Sequence, residues 1–288
     1  MAKRIIVTGG LGFLGSAVSR ALAQRGWEVH TWDRAPSRRG PPFVHDGVHH
    51  HIVDIYDQQA VKTAMMETAA HEMIHLAWGG LPNYMSCHHV DVELVNQIKF
   101  VRTAIECGIE NLTHTGTCLE YGAISGALRE EMTCAPDTPY GFAKLALLRY
   151  IEFLRTELSF HHKWLRLFYM YGEGQAPTSL YSLLCAAHAR GDKTFDMSLG
   201  HQLRDFSPVS EIVTKVVMLH ECEAADGVYN VCSGRPVSVR QLIESWAAER
   251  GYDVNLNLGR FPIPEYEPLA FWGNDTKTRQ ALGKHQDA

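Results

Sequence analysis

Apolar residues along the chain recur in two rhythms, short β-branched runs and longer stretches with an apolar position every three or four residues. Ile5-Ile6-Val7 predicts a strand ending in glycines, and the periodic segment from Gly15 to Arg25, closed by Gly26, predicts a helix. The run from Trp27 to Trp32, ending in Asp33, predicts a second strand, with a polar loop from Ala35 to Pro42 after it. His51-Ile52-Val53, ending at Asp54, predicts a third strand, and Asp57 is placed to cap a helix reaching about Ala70.

The alternation continues with a strand over Met73–Ala77, a helix from Val90 to Cys107 stopped by Gly108, a strand from Asn111 to Thr115, a helix from Tyr140 to Leu158 and a strand from Lys163 to Met170. Strands alternating with helices predict an α/β fold built on a doubly wound parallel sheet with right-handed crossovers. Past Tyr171-Gly172 the rhythm loosens, with helices expected near Leu180–Arg190 and Glu211–His220, a strand over Gly227–Val231, and a helix capped by Ser238 running through Arg250. The expected division is a dinucleotide-binding domain over 1–172 and a smaller, interleaved substrate-binding part over 173–288. A segment near 205–235 is expected to return to the first part.

Composition narrows the function classes. With 288 residues, 45% of them hydrophobic, the chain can bury a sizeable core, and a formal charge of −5 offers no basic surface for nucleic acid or an anionic membrane. No run approaches the roughly 18 apolar residues of a membrane span, so a cytoplasmic chain without a membrane partner is expected. The seven cysteines never form a C-x-x-C pair, which predicts reduced thiols. Among the 16 histidines, the run His49-His50-His51 and the pairs His88-His89 and His161-His162 point alternately to opposite faces if extended, so no metal site is predicted.

The glycines at the end of the first strand carry chemistry. Thr8-Gly9-Gly10-Leu11-Gly12-Phe13-Leu14-Gly15 reads T-G-x-x-G-x-x-G between a strand and a helix, a turn that brings backbone amides and a helix N-terminus to a pyrophosphate. A dinucleotide site of the Rossmann type is expected, held by Gly9, Gly12, Phe13, Leu14 and Gly15. Asp33 ends the second strand, where its carboxylate can accept ribose hydroxyls and repel a 2′-phosphate, which favours NAD. Arg34, Arg38 and Arg39 follow and can pair with such a phosphate, so NADP stays open. Asp54 and Ile55 are expected at the adenine edge, and Leu76 and Ala77 beside the cofactor.

Downstream, Thr117 precedes Tyr140 and Lys144, which are four residues apart and so share one helical face. A cation beside a phenol favours its ionised form, and the expected roles are Tyr140 as acid/base, Lys144 as the cation that lowers its pKa and Thr117 as holder of the substrate oxygen.

Several segments match, in order, the extended short-chain dehydrogenase/reductases of the NAD-dependent epimerase/dehydratase family. They are Thr8 to Gly15, His75-Leu76-Ala77, Thr115-Gly116-Thr117 with Tyr121-Gly122, Pro139-Tyr140-Gly141-Phe142-Ala143-Lys144, Arg166-Leu167-Phe168 leading to Tyr171-Gly172, and Arg204-Asp205-Phe206 with Val209. The chain resembles this family over nearly its whole length. The resemblance implies a nucleotide-diphosphate sugar as substrate, Arg204 at its diphosphate, Trp78 and Tyr169 near the sugar, and a homodimer through the helices at 90–107 and 140–158. Dehydratases of the family carry Asp-Glu after the active-site threonine, where this chain has Cys118-Leu119, and Cys118 is expected to face away if the segment is extended. Glu120-Tyr121-Gly122, the segment Trp164–Tyr171 and Phe271-Trp272-Gly273 resemble 4-ketoreductases of 6-deoxyhexose pathways. A 4-ketoreductase is therefore expected. A 4-epimerase is the alternative, and a catalytically silent NAD(P)-binding regulator a remoter one.

Overall fold

In the computed structural model the described residues are 3–35, 45–262 and 268–286; the side chains of 284–286 are left aside, and Arg38 and Arg39 of the polar loop lie outside this set. The first half is β1 (Arg4–Thr8), α1 (Phe13–Gln24), β2 (Glu28–Asp33), β3 (Val48–Ile52), α2 (Gln58–Thr68) and β4 (Glu72–His75). A π-helical turn (His89–Leu94) runs straight into α3 (Val95–Glu106), followed by β5 (Asn111–Thr117), a 3-10 turn (Cys118–Tyr121), β6 (Gly126–Leu128), α4 (Pro139–Glu157), β7 (His161–Leu167) and β8 (Tyr169–Tyr171). Then come α5 (Leu180–Arg190), β9 (Thr194–Asp196), β10 (Leu203–Arg204), β11 (Phe206–Pro208), α6 (Val209–Glu221), β12 (Gly227–Val231), β13 (Val237–Ser238), α7 (Val239–Glu249), β14 (Asn255–Asn257), β15 (Phe271–Gly273) and α8 (Thr276–Gln286).

Seven strands form one parallel sheet in the order β12-β7-β5-β4-β1-β2-β3. This is the doubly wound Rossmann-type arrangement that the alternation predicts. Both faces must then be covered, and the helices do so. On one face Phe100, Leu147, Ile151 and Trp164 join the sheet to α3 and α4. On the other, Val18, Leu22, Ile212 and Val216 join it to α1 and α6. A separate cluster around Leu184, Phe195, Ile243 and Trp246 holds α5 and α7 together with the short β9 and β14. Among the described residues, no helix is long and apolar enough to cross a membrane, and none of the seven cysteines is in a disulfide.

Two predicted strands shift. The third spans Val48–Ile52 rather than starting at His51, because its histidines find partners on β2: His51 bonds His30 at 2.9 Å, His50 bonds Thr31 at 2.7 Å and His49 stacks on His30. The predicted run to Met170 breaks at Phe168, whose buried ring joins Tyr121, Cys232 and Phe271; beyond it, β8 leaves the large sheet and pairs with β11.

Asp57 caps α2 as its position predicts, accepting from the backbone N–H of Gln59 at 2.9 Å and Ala60 at 3.1 Å. Asp57→Ala is expected to lower unfolding stability by about 1 kcal/mol in urea titration, the usual size of an N-cap loss.

Candidate active site

The sheet order reverses between β1 and β4, and the glycine turn sits at the carboxyl end of β1 beside that reversal, where open parallel sheets place their ligands. Gly9 has a φ of +70°, and a Cβ built on Gly15 would lie 2.0 Å from the Gly9 carbonyl oxygen. Only hydrogen fits there. Gly12 stands at the N-cap of α1 without a side-chain cap, so the helix opens on the cleft with backbone amides that suit an anion.

Two cavities of about 270 and 320 Å³ meet over this turn and share Gly9, Gly12, Leu76 and Trp78. The smaller brings together the expected cofactor residues Asp33, Arg34, Asp54, Ile55 and Ala77. The larger gathers Phe13, Leu14 and Gly15 with Thr117, Tyr140, Lys144 and Tyr169. Backbone turn, helix N-terminus and paired cavities thus fit a dinucleotide.

Asp33 has a further partner. Its carboxylate accepts from Leu11 N–H at 3.2 and 3.1 Å, tying the glycine turn to β2. Burial raises its pKa to about 6, against the lowering pull of the Leu11 amide, His50 and the Gly10 amide. Arg34 lies over the Tyr56 ring at 5.9 Å, and Asp54 accepts from Tyr56 N–H at 3.0 Å.

Tyr140 and Lys144 lie on the first turns of α4, a helix started by Pro139 and by the Thr138 hydroxyl, which accepts from Gly141 N–H at 3.0 Å. Both side chains are buried. Lys144 Nζ donates to the Thr115 carbonyl at 2.8 Å and lies 3.9 Å from the Trp78 ring centre. Thr117 lines the same cavity as the Tyr140 phenol, and its hydroxyl accepts from Leu119 N–H at 3.3 Å.

Here the expected electrostatics are corrected. Burial pushes the Tyr140 phenol well above its ordinary value, reinforced by Tyr84, Glu120 and Cys118, and Thr117 offsets only part. Lys144 Nζ stands 6.0 Å from the Tyr140 ring centre, and burial brings Lys144 itself down to about 7, against the raising effect of Glu120 and Glu93. Both shifts disfavour charge in a dry site. Tyr140 is therefore a protonated phenol at neutral pH.

Cys118 is also corrected. The segment is a 3-10 turn, not extended chain, so Cys118 lines the larger cavity rather than facing away. Arg204 is buried, donates to the Leu203 carbonyl at 2.8 Å and the Leu269 carbonyl at 3.3 Å, and lies over Phe271 at 4.5 Å; it is not among the residues lining either cavity. Tyr169 lines the larger cavity with its ring stacked on Phe206.

Glu120 is a residue that sequence reasoning left without a role. Its carboxylate, with no exposed surface, accepts from Thr117 N–H at 2.8 Å, Trp164 Nε1 at 3.0 Å and Arg166 Nε at 2.7 Å, so it locks the turn that carries Thr117 to β7. The spacing Thr-x-x-Glu is a capping box, and that was the available signal.

A profile of the NAD-dependent epimerase/dehydratase family matches residues 5–232. The chain belongs to this family. It is an NAD-dependent oxidoreductase of the extended short-chain dehydrogenase/reductase type. Within the family, it is 26% identical over 272 residues to dTDP-6-deoxy-L-talose 4-dehydrogenase (NAD(+)) of Aggregatibacter actinomycetemcomitans, covering 93% of this chain and 98% of that one. It is 29% identical over 279 residues to dTDP-6-deoxy-L-talose 4-dehydrogenase (NAD(P)(+)) of Kitasatospora kifunensis, covering 91% and 83%. The fold is that of the UDP-glucose 4-epimerase of Thermotoga maritima, with a TM-score of 0.83 at 21% identity over 97% of this chain and 92% of that one.

Breaking the buried Glu120–Arg166 pair leaves one guanidinium without its counter-ion. Glu120→Gln is expected to cost about 3–5 kcal/mol of unfolding stability in urea, the usual result of removing one partner of a buried pair.

Proposed function

We propose that this chain is a 4-ketoreductase of a nucleotide-linked 4-keto-6-deoxyhexose, working reversibly as a 4-dehydrogenase. The observation that carries the reading is the buried Tyr140 phenol beside Thr117 at the wall of the larger cavity, where burial favours its neutral form. A ketone becoming an alkoxide needs a proton donor at its oxygen, and a phenol held neutral is ready to act as one. The names of the talose 4-dehydrogenases, and of the dTDP-4-dehydro-6-deoxyglucose reductase of Escherichia coli at 22% identity, point to the same substrate class.

When bound, NAD carries the hydride to or from C4. In this reading Gly9, Gly12, Phe13, Leu14 and Gly15 hold its diphosphate, and Asp33, Arg34, Asp54 and Ile55 its adenosine end. Leu76 and Ala77 lie along it. Thr117 holds the C4 oxygen, Tyr140 delivers its proton there as the C–H bond forms, and the phenolate left behind is stabilised from the Lys144 side. Cys118 and Leu119 supply no carboxylate, so water elimination lacks its acid and base. Tyr169, and residues from 173 onwards, border the sugar. Arg204, whose Nη1 donates to the Leu203 and Leu269 carbonyls, is the proposed contact to the substrate diphosphate through its other N–H groups.

The 4-epimerase reading is favoured by relatives of that name, including UDP-glucose 4-epimerase of Halalkalibacterium halodurans at 21% identity over 302 residues. It uses the same three residues. A homodimer belongs to the proposal: Val92 and Val95 on the first helical segment and Phe142 and Phe153 on α4 are exposed apolar side chains.

Tyr140→Phe keeps the ring and removes the proton. It is expected to lower kcat by about 10²–10⁴ while the NADH dissociation constant, read by fluorescence titration, stays put. Unchanged turnover would sink the mechanism.

Asp33→Asn keeps an acceptor for Leu11 and removes the charge facing a 2′-phosphate. The preference for NAD over NADP is expected to fall roughly five- to tenfold. In the unchanged protein that preference should weaken as pH falls through about 6, where the Asp33 carboxyl gains its proton, and more steeply than in the Asn variant. Parallel calorimetric titrations with both coenzymes check this.

A further inference from the structure

The loop after β4 and the π-helical turn pack against Tyr140 and Lys144 through Trp78, which also lines both cavities. Trp78 follows Ala77, and its Nε1–H donates to His89 Nδ1 at 3.1 Å. His89 has no exposed surface, and its Nε2 lies 2.9 Å from the Asn83 carbonyl. An indole nitrogen only donates and a carbonyl only accepts, so His89 is pinned as the neutral tautomer with its proton on Nε2. The imidazole is crowded as well: a Cβ on Gly80, where φ is +80°, would lie 3.0 Å from His89 Cε1 and 2.9 Å from His88 Cδ2.

The Trp78 indole makes an edge contact with Tyr140 at 5.8 Å between ring centres, and His89 lies 5.1 Å from the same ring. The indole face carries Lys144 Nζ at 3.9 Å. Among the described residues the Lys144 ammonium makes no ion pair, and its one hydrogen bond is to the neutral Thr115 carbonyl. A buried cation without a counter-ion is held by whatever negative potential faces it, and an indole face supplies the strongest that an aromatic side chain can.

We propose that Trp78 and His89 are positioning residues for the Tyr140–Lys144 pair: the indole face stands in for a counter-ion to Lys144, and tautomer-locked His89 sets the angle at which that face is presented. Removing the face leaves Lys144 less able to hold its proton, against the burial that already brings it to about 7. The other groups acting on Lys144 are the Glu120 and Glu93 carboxylates, which favour its charge; the buried His75 and His114 carry a like-charge interaction with it.

The inference rests on the ketoreductase reading for its kinetic readout but not for its electrostatic one. The test is a double-mutant cycle on the full chain, comparing Trp78→Phe, His89→Leu and the pair, with Trp78→Leu and His89→Asn as companions. Phe keeps an aromatic face but has no N–H, so adding His89→Leu to it should cost kcat nothing more, whereas His89→Leu alone should cost about tenfold with KM for the sugar little changed. Asn retains an acceptor at the Nδ1 position and should restore most of that loss. Trp78→Leu should move the alkaline limb of kcat for ketone reduction to lower pH by a unit or so, and Trp78→Phe by much less. The same shift is read without turnover by NMR titration of the Lys144 ε-methylene. Additive losses in the cycle, or a Lys144 titration that Trp78→Leu leaves in place, would overturn the proposal. A chain that reduces no sugar yet shows the NMR shift would refute the ketoreductase reading alone.

Discussion

Burial of Tyr140 and Lys144 is the constraint to which the rest of the site answers. Taking a phenol and an ammonium out of water together disfavours the charged form of each, so the pair meets the substrate with the phenol protonated and the amine near its titration midpoint at neutral pH. Every neighbouring feature responds to that cost. Thr115 offers a carbonyl, Trp78 a ring face and Thr117 a hydroxyl, while Glu120 contributes its field from a position already occupied by Arg166 and Trp164. The charge is balanced through a network rather than by one opposing carboxylate.

The parallel sheet is what makes such a site possible. Strands β4, β5 and β7 end side by side, so Ala77 with Trp78, Thr115 with Thr117, and Phe168 arrive at one edge from three remote parts of the chain. Glu120 then joins β5 to β7 just beyond the last paired residues. On the opposite side of the sheet reversal, Asp33 performs the matching task for the glycine turn. Its hydrogen bond to Leu11 orders the turn that the cofactor's diphosphate meets on the proposed reading.

Much of this was legible in the sequence for physical reasons that can be named. The parallel, doubly wound sheet followed from alternation, because strands joined through periodic helices need crossovers packed on the sheet faces. The end of β1 was readable because glycine alone satisfies the contact between position 15 and the Gly9 carbonyl. Tyr140 and Lys144 were readable because a separation of four brings side chains to one helical face. Less was readable where tertiary partners decide. The shift of β3 depends on hydrogen bonds from histidines to a neighbouring strand, and the break at Phe168 on a hydrophobic cluster assembled from β15 and the 3-10 turn. The direction of the Tyr140 pKa shift was misjudged because spacing reveals the presence of a cation but not the absence of water. Cys118 differs from expectation for a related reason: a motif gives a residue its place in order, while the backbone conformation around it decides which way it faces. Trp78 was expected near the sugar, but its contact with His89 was not readable, since a tryptophan and a histidine eleven residues apart meet only through an irregular loop.

The central claim is that hydride passes from an external coenzyme to C4 of a nucleotide-linked 4-keto sugar and stays there. It is tested most directly by supplying the enzyme with NADH deuterated at the transferable C4 position and a dTDP-4-keto-6-deoxyhexose, then examining the product by NMR. The account predicts one deuterium at C4 of the reduced sugar for each NADH oxidised. No deuterium in the sugar and no NADH consumed would contradict it, and C4 inversion of the corresponding fully reduced dTDP-6-deoxyhexose, offered separately with NAD and without net formation of NADH, would establish the epimerase instead.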